Sequence, residues 1–250
     1  DYAWSPDGEW IAYTDVNEAF MSSIHLYSFA SDRSTQVTGD MTDESSPAFD
    51  GQGRYLYFTS ARDFNYGQEG FQSRIYLATL TADTGDPFPP RSDEEPAAAV
   101  EEMAEESGGG GEESMDEGMH VDLDGIAERV TVLPGLNPGS YFGLVGLEDG
   151  LLYFANGGVQ KYSLEARDSN TIISGIQAYA LTPDASQLAY RARGGYGIVP
   201  LRPGQNNESG RLDLDGMEMR IDPKVEWMQI YHDAWLIMRD WFYDPDMHGG

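Results

Sequence analysis

A ten-residue pattern recurs along this chain, and a repeat of this kind leaves few folds open. Residues 4–13 read WSPDGEWIAY: an aromatic, a tight Pro-Asp-Gly turn, then a strand in which Trp10 and Ala12 alternate with Ile11 and Tyr13. FDGQGRYLYF at 49–58 places Phe49 under Trp4, Gly53 under Gly8, Tyr55 under Trp10 and Phe58 under Tyr13. LTPDASQLAY at 181–190 repeats the turn and the closing tyrosine, and LEDGLLYF at 147–154 is a weaker copy. A unit of this size buries its apolar face only by stacking on its neighbours. Self-similarity at a spacing of roughly 35 to 45 residues is the signature of blades in a β-propeller.

Alternation of apolar and polar residues at period two predicts strands at 10–14, 24–29, 34–38, 55–60 and 73–80. The later half adds 141–145, 151–155, 159–163, 171–173, 178–181, 187–191 and 197–201, with short turns between them. The expected fold is all-β, with about four blades of an expected seven, the first truncated, and one long α-helix after them. Residues 121–130 (VDLDGIAERV) are echoed at 212–221 (LDLDGMEMRI), each expected to be a strand leading back into the sheet. The partial propeller is assigned to 1–221, interrupted inside a blade by an acidic insert at 84–119 that is expected to be disordered.

The 43 acidic and 15 basic residues leave a net charge of -28, a field that repels phosphate backbones and anionic lipid. Nucleic-acid and membrane partners are therefore not expected. Thirteen of the acids lie between positions 83 and 117, yet the rest of the chain is still acidic, and its lysines are Lys161 and Lys224 alone. Such a surface fits a protein adapted to high salt, where screening relieves self-repulsion. With no cysteine there is neither a disulfide framework nor a thiolate metal site, which suits a reducing compartment.

At Asp222 the period changes. Asp222 suits an N-cap and Pro223 the first helical position. Apolar residues then fall in two adjoining stripes: Trp227, Tyr231, Trp235, Met238 and Phe242, and Ile230, Ala234, Ile237 and Trp241. The helix is expected at 223–243, to be buried on more than one side, and to end before Asp244-Pro245.

No G-x-S-x-G elbow, Walker loop, dinucleotide fingerprint or H-E-x-x-H pair occurs. His25 falls in a strand, His120 in the insert, and His232 on the more polar side of the helix. Asp122 with Asp124, and Asp213 with Asp215, supply two carboxylates each where a calcium loop needs several further ligands. Asp244, Asp246 and His248 are bunched too closely to surround a cation. No catalytic, cofactor-binding or metal residue is assigned, and no cofactor is expected.

Residues 220–249, RIDPKVEWMQIYHDAWLIMRDWFYDPDMHG, resemble the junction at which the second propeller of the tricorn protease family enters its first catalytic subdomain. The matching positions are Glu226, Trp227, Gln229, Asp233, Ala234 and Trp235, then Phe242, Tyr243, Asp244, Pro245, Met247, His248 and Gly249. The upstream blades, the insert opened by PFPPRSDEE and the DLDGIAERV stretch are similar to that propeller as well. The Glu-rich length of the insert and Gly250 depart from the family's pattern. The resemblance implies a cytoplasmic serine peptidase acting on oligopeptides, with the propeller as channel and scaffold, peptide substrates and a homo-oligomeric ring. It places the start of the catalytic subdomain at 222–250 and the catalytic residues outside this chain, so the piece alone is expected to be inactive. Two other readings stay open on the residues alone: the propeller of an α/β-hydrolase peptidase, and a non-enzymatic TolB-like binding propeller.

Overall fold

The computed structural model describes residues 1–62, 72–91 and 119–244. The chain divides into two compact units, Asp1–Arg211 and Leu212–Gly250. The first holds four antiparallel sheets whose strands follow one another in sequence order, the meander of propeller blades. Blade one is β1 (Tyr2–Trp4), β2 (Trp10–Val16), β3 (Ser22–Ser28) and β4 (Arg33–Gln36). Blade two is β5 (Glu44–Phe49), β6 (Tyr55–Ser60), β7 (Arg74–Thr79) and β8 (Val130–Val132). Blade three is β9 (Phe142–Leu147), β10 (Gly150–Ala155), β11 (Gly158–Ser163) and β12 (Asp168–Ser174). Blade four has three strands, β13 (Ala178–Leu181), β14 (Gln187–Ala192) and β15 (Gly195–Pro200).

The repeated turn is held by its own side chains. Ser5 Oγ donates to Asp7 Oδ1 at 2.6 Å, Glu9 N donates to the same oxygen, and Trp10 N donates to Ser5 Oγ at 2.9 Å. Thr182, Asp184, Ser186 and Gln187 rebuild this pattern in blade four. Gly8, at φ 75°, takes the left-handed position that closes the first turn. In blade two a single carboxylate does the work: Asp50 Oδ1 accepts Arg54 N at 2.6 Å and Tyr55 N at 3.0 Å.

Alternation along the strands sends apolar residues into three interfaces between blades. Ala12, Ile24 and Leu26 of blade one meet Phe49, Leu56 and Phe58 of blade two. On the other side of blade two, Tyr57, Ile75 and Leu77 meet Leu151, Tyr153 and Tyr162 of blade three. Leu152, Phe154 and Val159 then meet Leu188, Tyr190 and Val199 of blade four. Fully burying one such side chain is worth about 1.5–3 kcal/mol, so these interfaces are what hold the blades in sequence.

Several expectations are corrected. Blade one is not truncated, because β1 pairs with β2 through Trp4↔Ile11. The strand β5 was not expected, since Pro47, a register shift between Ser45 and Ala48, and Ser46 at φ 55° break its alternation. In the 121–130 stretch, a 3-10 turn at Ile126–Arg129 precedes β8, and Arg129 gathers the carbonyls of Thr79, Asp122 and Asp124. Its echo at 212–221 keeps one turn, Met217 N donating to the Leu214 carbonyl at 3.0 Å, but forms no strand and is exposed.

The acidic insert is ordered at both ends. Phe88 packs against the core between blades two and three, Arg167 Nη2 donates to Pro89 O at 2.6 Å, and the Arg91 guanidinium reaches the Glu165 carbonyl. On the return, Met119 N donates to Asp7 Oδ2 at 2.8 Å. The expectation of disorder at 92–118 lies outside the described residues.

In the second unit α1 (Pro223–Trp241) begins as expected: Asp222 Oδ1 accepts Lys224 N at 3.0 Å, and proline occupies the first turn. It ends two residues before 243, with Phe242 N donating to Met238 O at 3.1 Å. None of the residues of α1 is buried. Among the described residues no helix is long and apolar enough to cross a membrane.

Candidate functional site

Every polar cluster that the fold brings together can be weighed for chemistry. The first is a recess of about 260 Å³ at the rim where β5, β7 and β9 begin and β6 ends. Asp43, Ser45, Thr59, Ala61, Gln72, Ser73, Ser140 and Tyr141 line it. Most of these groups are already committed. Asp43 Oδ1 accepts the amide and hydroxyl of Ser22, Ser45 Oγ pairs with Thr59 Oγ1 at 2.9 Å, Ser73 Oγ donates to Gly139 O at 3.1 Å, and the Tyr141 hydroxyl donates to Asn137 O. Burial pushes the Tyr141 phenol up, so it stays a donor rather than a base. Its described lining residues include serines but no histidine, and among them there is no nucleophile–base pair.

One such pair does occur elsewhere. Ser23 and His25, two apart on β3, share a face, with Ser23 Oγ and His25 Nε2 at 3.1 Å. Ser23 is buried and His25 stacks on the Tyr13 ring at 5.5 Å. The backbone of β3 is engaged in its ladders with β2 and β4, so it offers no free N–H pair to an oxyanion. The arrangement meets one of the three geometric demands of acyl transfer and fails the others.

The third cluster is a buried ion pair that sequence reasoning missed. Glu44, fully buried at the start of β5, takes Thr42 Oγ1 at 2.6 Å, Ser60 Oγ at 2.8 Å and Arg62 Nη2 at 3.2 Å, all on Oε1. Its Oε2 has no partner among the described residues. The Arg62 guanidinium lies over the rings of Tyr76 and Phe58, at 4.7 and 5.5 Å.

The remaining histidines and aspartates play local parts. His120 Nε2 sits 2.8 Å from Asp122 Oδ1, while Asp122 Oδ2 accepts Ala82 N at 2.8 Å. The Ala82 amide, then His120, hold the Asp122 carboxyl below its ordinary range. Partial burial pushes the Asp7 carboxyl up, but hydrogen bonds from Ser5, Glu9 and Met119 outweigh it and leave it lowered. His232 stacks on Trp235 on exposed helix α1. Asp246 and His248 lie outside the described residues. Among the described residues no three His, Cys, Asp or Glu side chains gather as a metal site would require.

Against known proteins, the family model described as the tricorn protease second beta propeller domain matches residues 1–201. The model described as the tricorn protease C1 domain matches residues 223–250. The tricorn protease homolog of Saccharolobus solfataricus (strain ATCC 35092 / DSM 1617 / JCM 11322 / P2) is 21% identical over 98% of the chain and 24% of its own length. Tricorn protease homolog 1 of Streptomyces coelicolor (strain ATCC BAA-471 / A3(2) / M145) is 24% identical over 98% of the chain and 26% of its own length. The chain thus spans about a quarter of these relatives. A crystal structure of the tricorn protease superposes with a TM-score of 0.71 at 19% identity, covering 98% of this chain and 25% of that one.

Proposed function

This chain belongs to the tricorn protease family, and we propose that it is the scaffold part of a serine peptidase that degrades oligopeptides, its blades forming part of the passage for peptides. The observation that carries the reading is the junction. Blade-type sheets run to β15, and a well-capped helix bearing Glu226, Trp227, Gln229, Asp233, Ala234 and Trp235 follows, where the C1 match begins. On this reading 1–221 is a partial propeller carrying the insert, and 222–250 opens the catalytic subdomain.

The clusters in this chain support assigning the chemistry elsewhere in the protein, because peptide hydrolysis needs nucleophile, base and oxyanion donors in one place. The chain alone should leave a chromogenic peptide intact, whereas a full-length protein containing it should hydrolyse the peptide and be labelled by a fluorophosphonate on a serine outside residues 1–250. Turnover by the chain alone, or a labelled serine within it, refutes the assignment. We place the protein in the cytoplasm as a homo-oligomer with peptide partners.

The acid excess supports a further part of the proposal, adaptation to high salt. At 0.15 M ionic strength charges are screened beyond about 8 Å, and at 1 M beyond about 3 Å. With a net charge of -28, the melting temperature should rise by several degrees between dilute buffer and molar sodium chloride. A flat or falling curve counts against halophily.

A further inference from the structure

The lining of the rim recess comes from blades two and three, each of which has a neighbour on both sides in this chain, and its hydroxyl protons are already spent. Thr59 Oγ1 donates to Ser45 O at 3.1 Å, so the proton in the 2.9 Å contact between the two hydroxyls comes from Ser45. Ser73 Oγ donates to Gly139 O at 3.1 Å, and the Tyr141 hydroxyl donates to Asn137 O. A hydroxyl has one proton and two lone pairs. These four side chains therefore leave lone pairs, and no proton, for a ligand.

The charge in the lining has the same bias. Asp43 Oδ1 accepts the amide and hydroxyl of Ser22, while Oδ2 takes no hydrogen bond from the described residues. None of the described lining residues is basic. Gln72 and Ser140, both exposed, can each turn an oxygen to a ligand. A carboxylate or phosphate would meet acceptors and a negative charge here. An ammonium, with three donors and no acceptor, meets partners for its protons and its charge. A volume of about 260 Å³ falls below the roughly 300–1,000 Å³ of pockets that enclose a drug-sized ligand, and suits one side chain or one chain end. Ala61 and Tyr141 supply apolar contact for a methylene stem.

We infer that the recess binds a primary ammonium group carried by a peptide, a lysine side chain or an amino terminus, with Asp43 as its counter-ion. Naming the carrier a peptide rests on the proposed role of the blades as a passage; the acceptor lining stands without it. Asp43 is exposed, so salt screens the attraction, and binding is weak and reversible, as suits a group that holds a peptide in transit.

Nuclear magnetic resonance of the isotope-labelled 250-residue chain, titrated in dilute buffer, tests this independently of peptidase activity, so its failure is distinct from a failure of the peptidase reading. Nα-acetyl-lysine methylamide or alanine methylamide should shift the backbone amides of Ser45, Ser73 and Tyr141 saturably. Nα-acetyl-norleucine methylamide, which has the stem without the ammonium, should not. The tighter of the first two probes tells a side-chain ammonium from an amino terminus. Asp43→Asn keeps an oxygen for Ser22 and should weaken binding at least fivefold; Ala61→Leu, which fills the recess and keeps the charge, should do the same. The absence of shifts with either ammonium probe up to tens of millimolar overturns the inference. So do equal shifts with the norleucine probe, shifts spread over the acidic surface away from the recess, and binding untouched by both variants.

Discussion

Replacing Glu44 with alanine is expected to lower the unfolding free energy by about 3–5 kcal/mol, the usual cost of stranding one partner of a buried ion pair. Glu44 Oε1 collects three donors, and the strongest is the Arg62 guanidinium, whose side chain is 29% exposed. Once the carboxylate is gone, Arg62 keeps its charge against the rings of Phe58 and Tyr76 at the interface of blades one and two, and Ser60 is left as a buried donor. For a unit of this size each kcal/mol moves the midpoint by about 2–4 °C, so a fall near 10 °C should appear in a thermal melt. Glu44→Gln retains the shape and an acceptor and should lose less, about 1.5–3 kcal/mol. A double variant, Glu44→Ala with Arg62→Met, should recover part of the loss, because the stranded charge is removed with its partner. If Glu44→Ala melts within about 2 °C of the parent, Arg62 has turned to solvent and the pair does not hold the blades.

The prominence of Glu44 could not be read from the chain. In TDESSPAF it stands among small polar residues, as a loop acid does, and only the pairing Glu44↔Ser60 across β5 and β6 buries it. The same passage hid β5, whose bulge and proline erase the period-two signal. What was legible is what is local: the Asp7 and Asp184 turns, the alternation of β6, β10 and β14, and the Asp222 cap. The expected disorder of the insert failed at its ends because Phe88 and Met119 find sockets on distant parts of the chain, Met119 over Gly53. The Ser23–His25 pair became visible only in the fold, since two residues on one strand face carry no signature by spacing alone.

A large single-atom sensitivity is expected at Gly146, where one methyl group should cost as much as removing a core leucine. Gly146 lies in β9 opposite Leu151, and a Cβ built there would stand 2.0 Å from Phe49 O and 2.6 Å from Asp50 Cα. Both neighbours are backbone, so no rotamer change relieves the overlap. The inner strands of blades two and three must instead move apart, opening an interface packed by Ala48, Tyr57, Leu151 and Tyr153. Core Leu→Ala changes cost about 2–5 kcal/mol, and Gly146→Ala should reach the upper part of that range, seen as a melting temperature lower by 10 °C or more. Gly157→Ala is the control. It strains a left-handed residue at φ 73° but meets nothing within 4 Å, so its cost should stay at about 1–2 kcal/mol. If the two variants melt together, β9 has slack against β5, and the close passage of the inner strands is not what fixes the spacing of these blades.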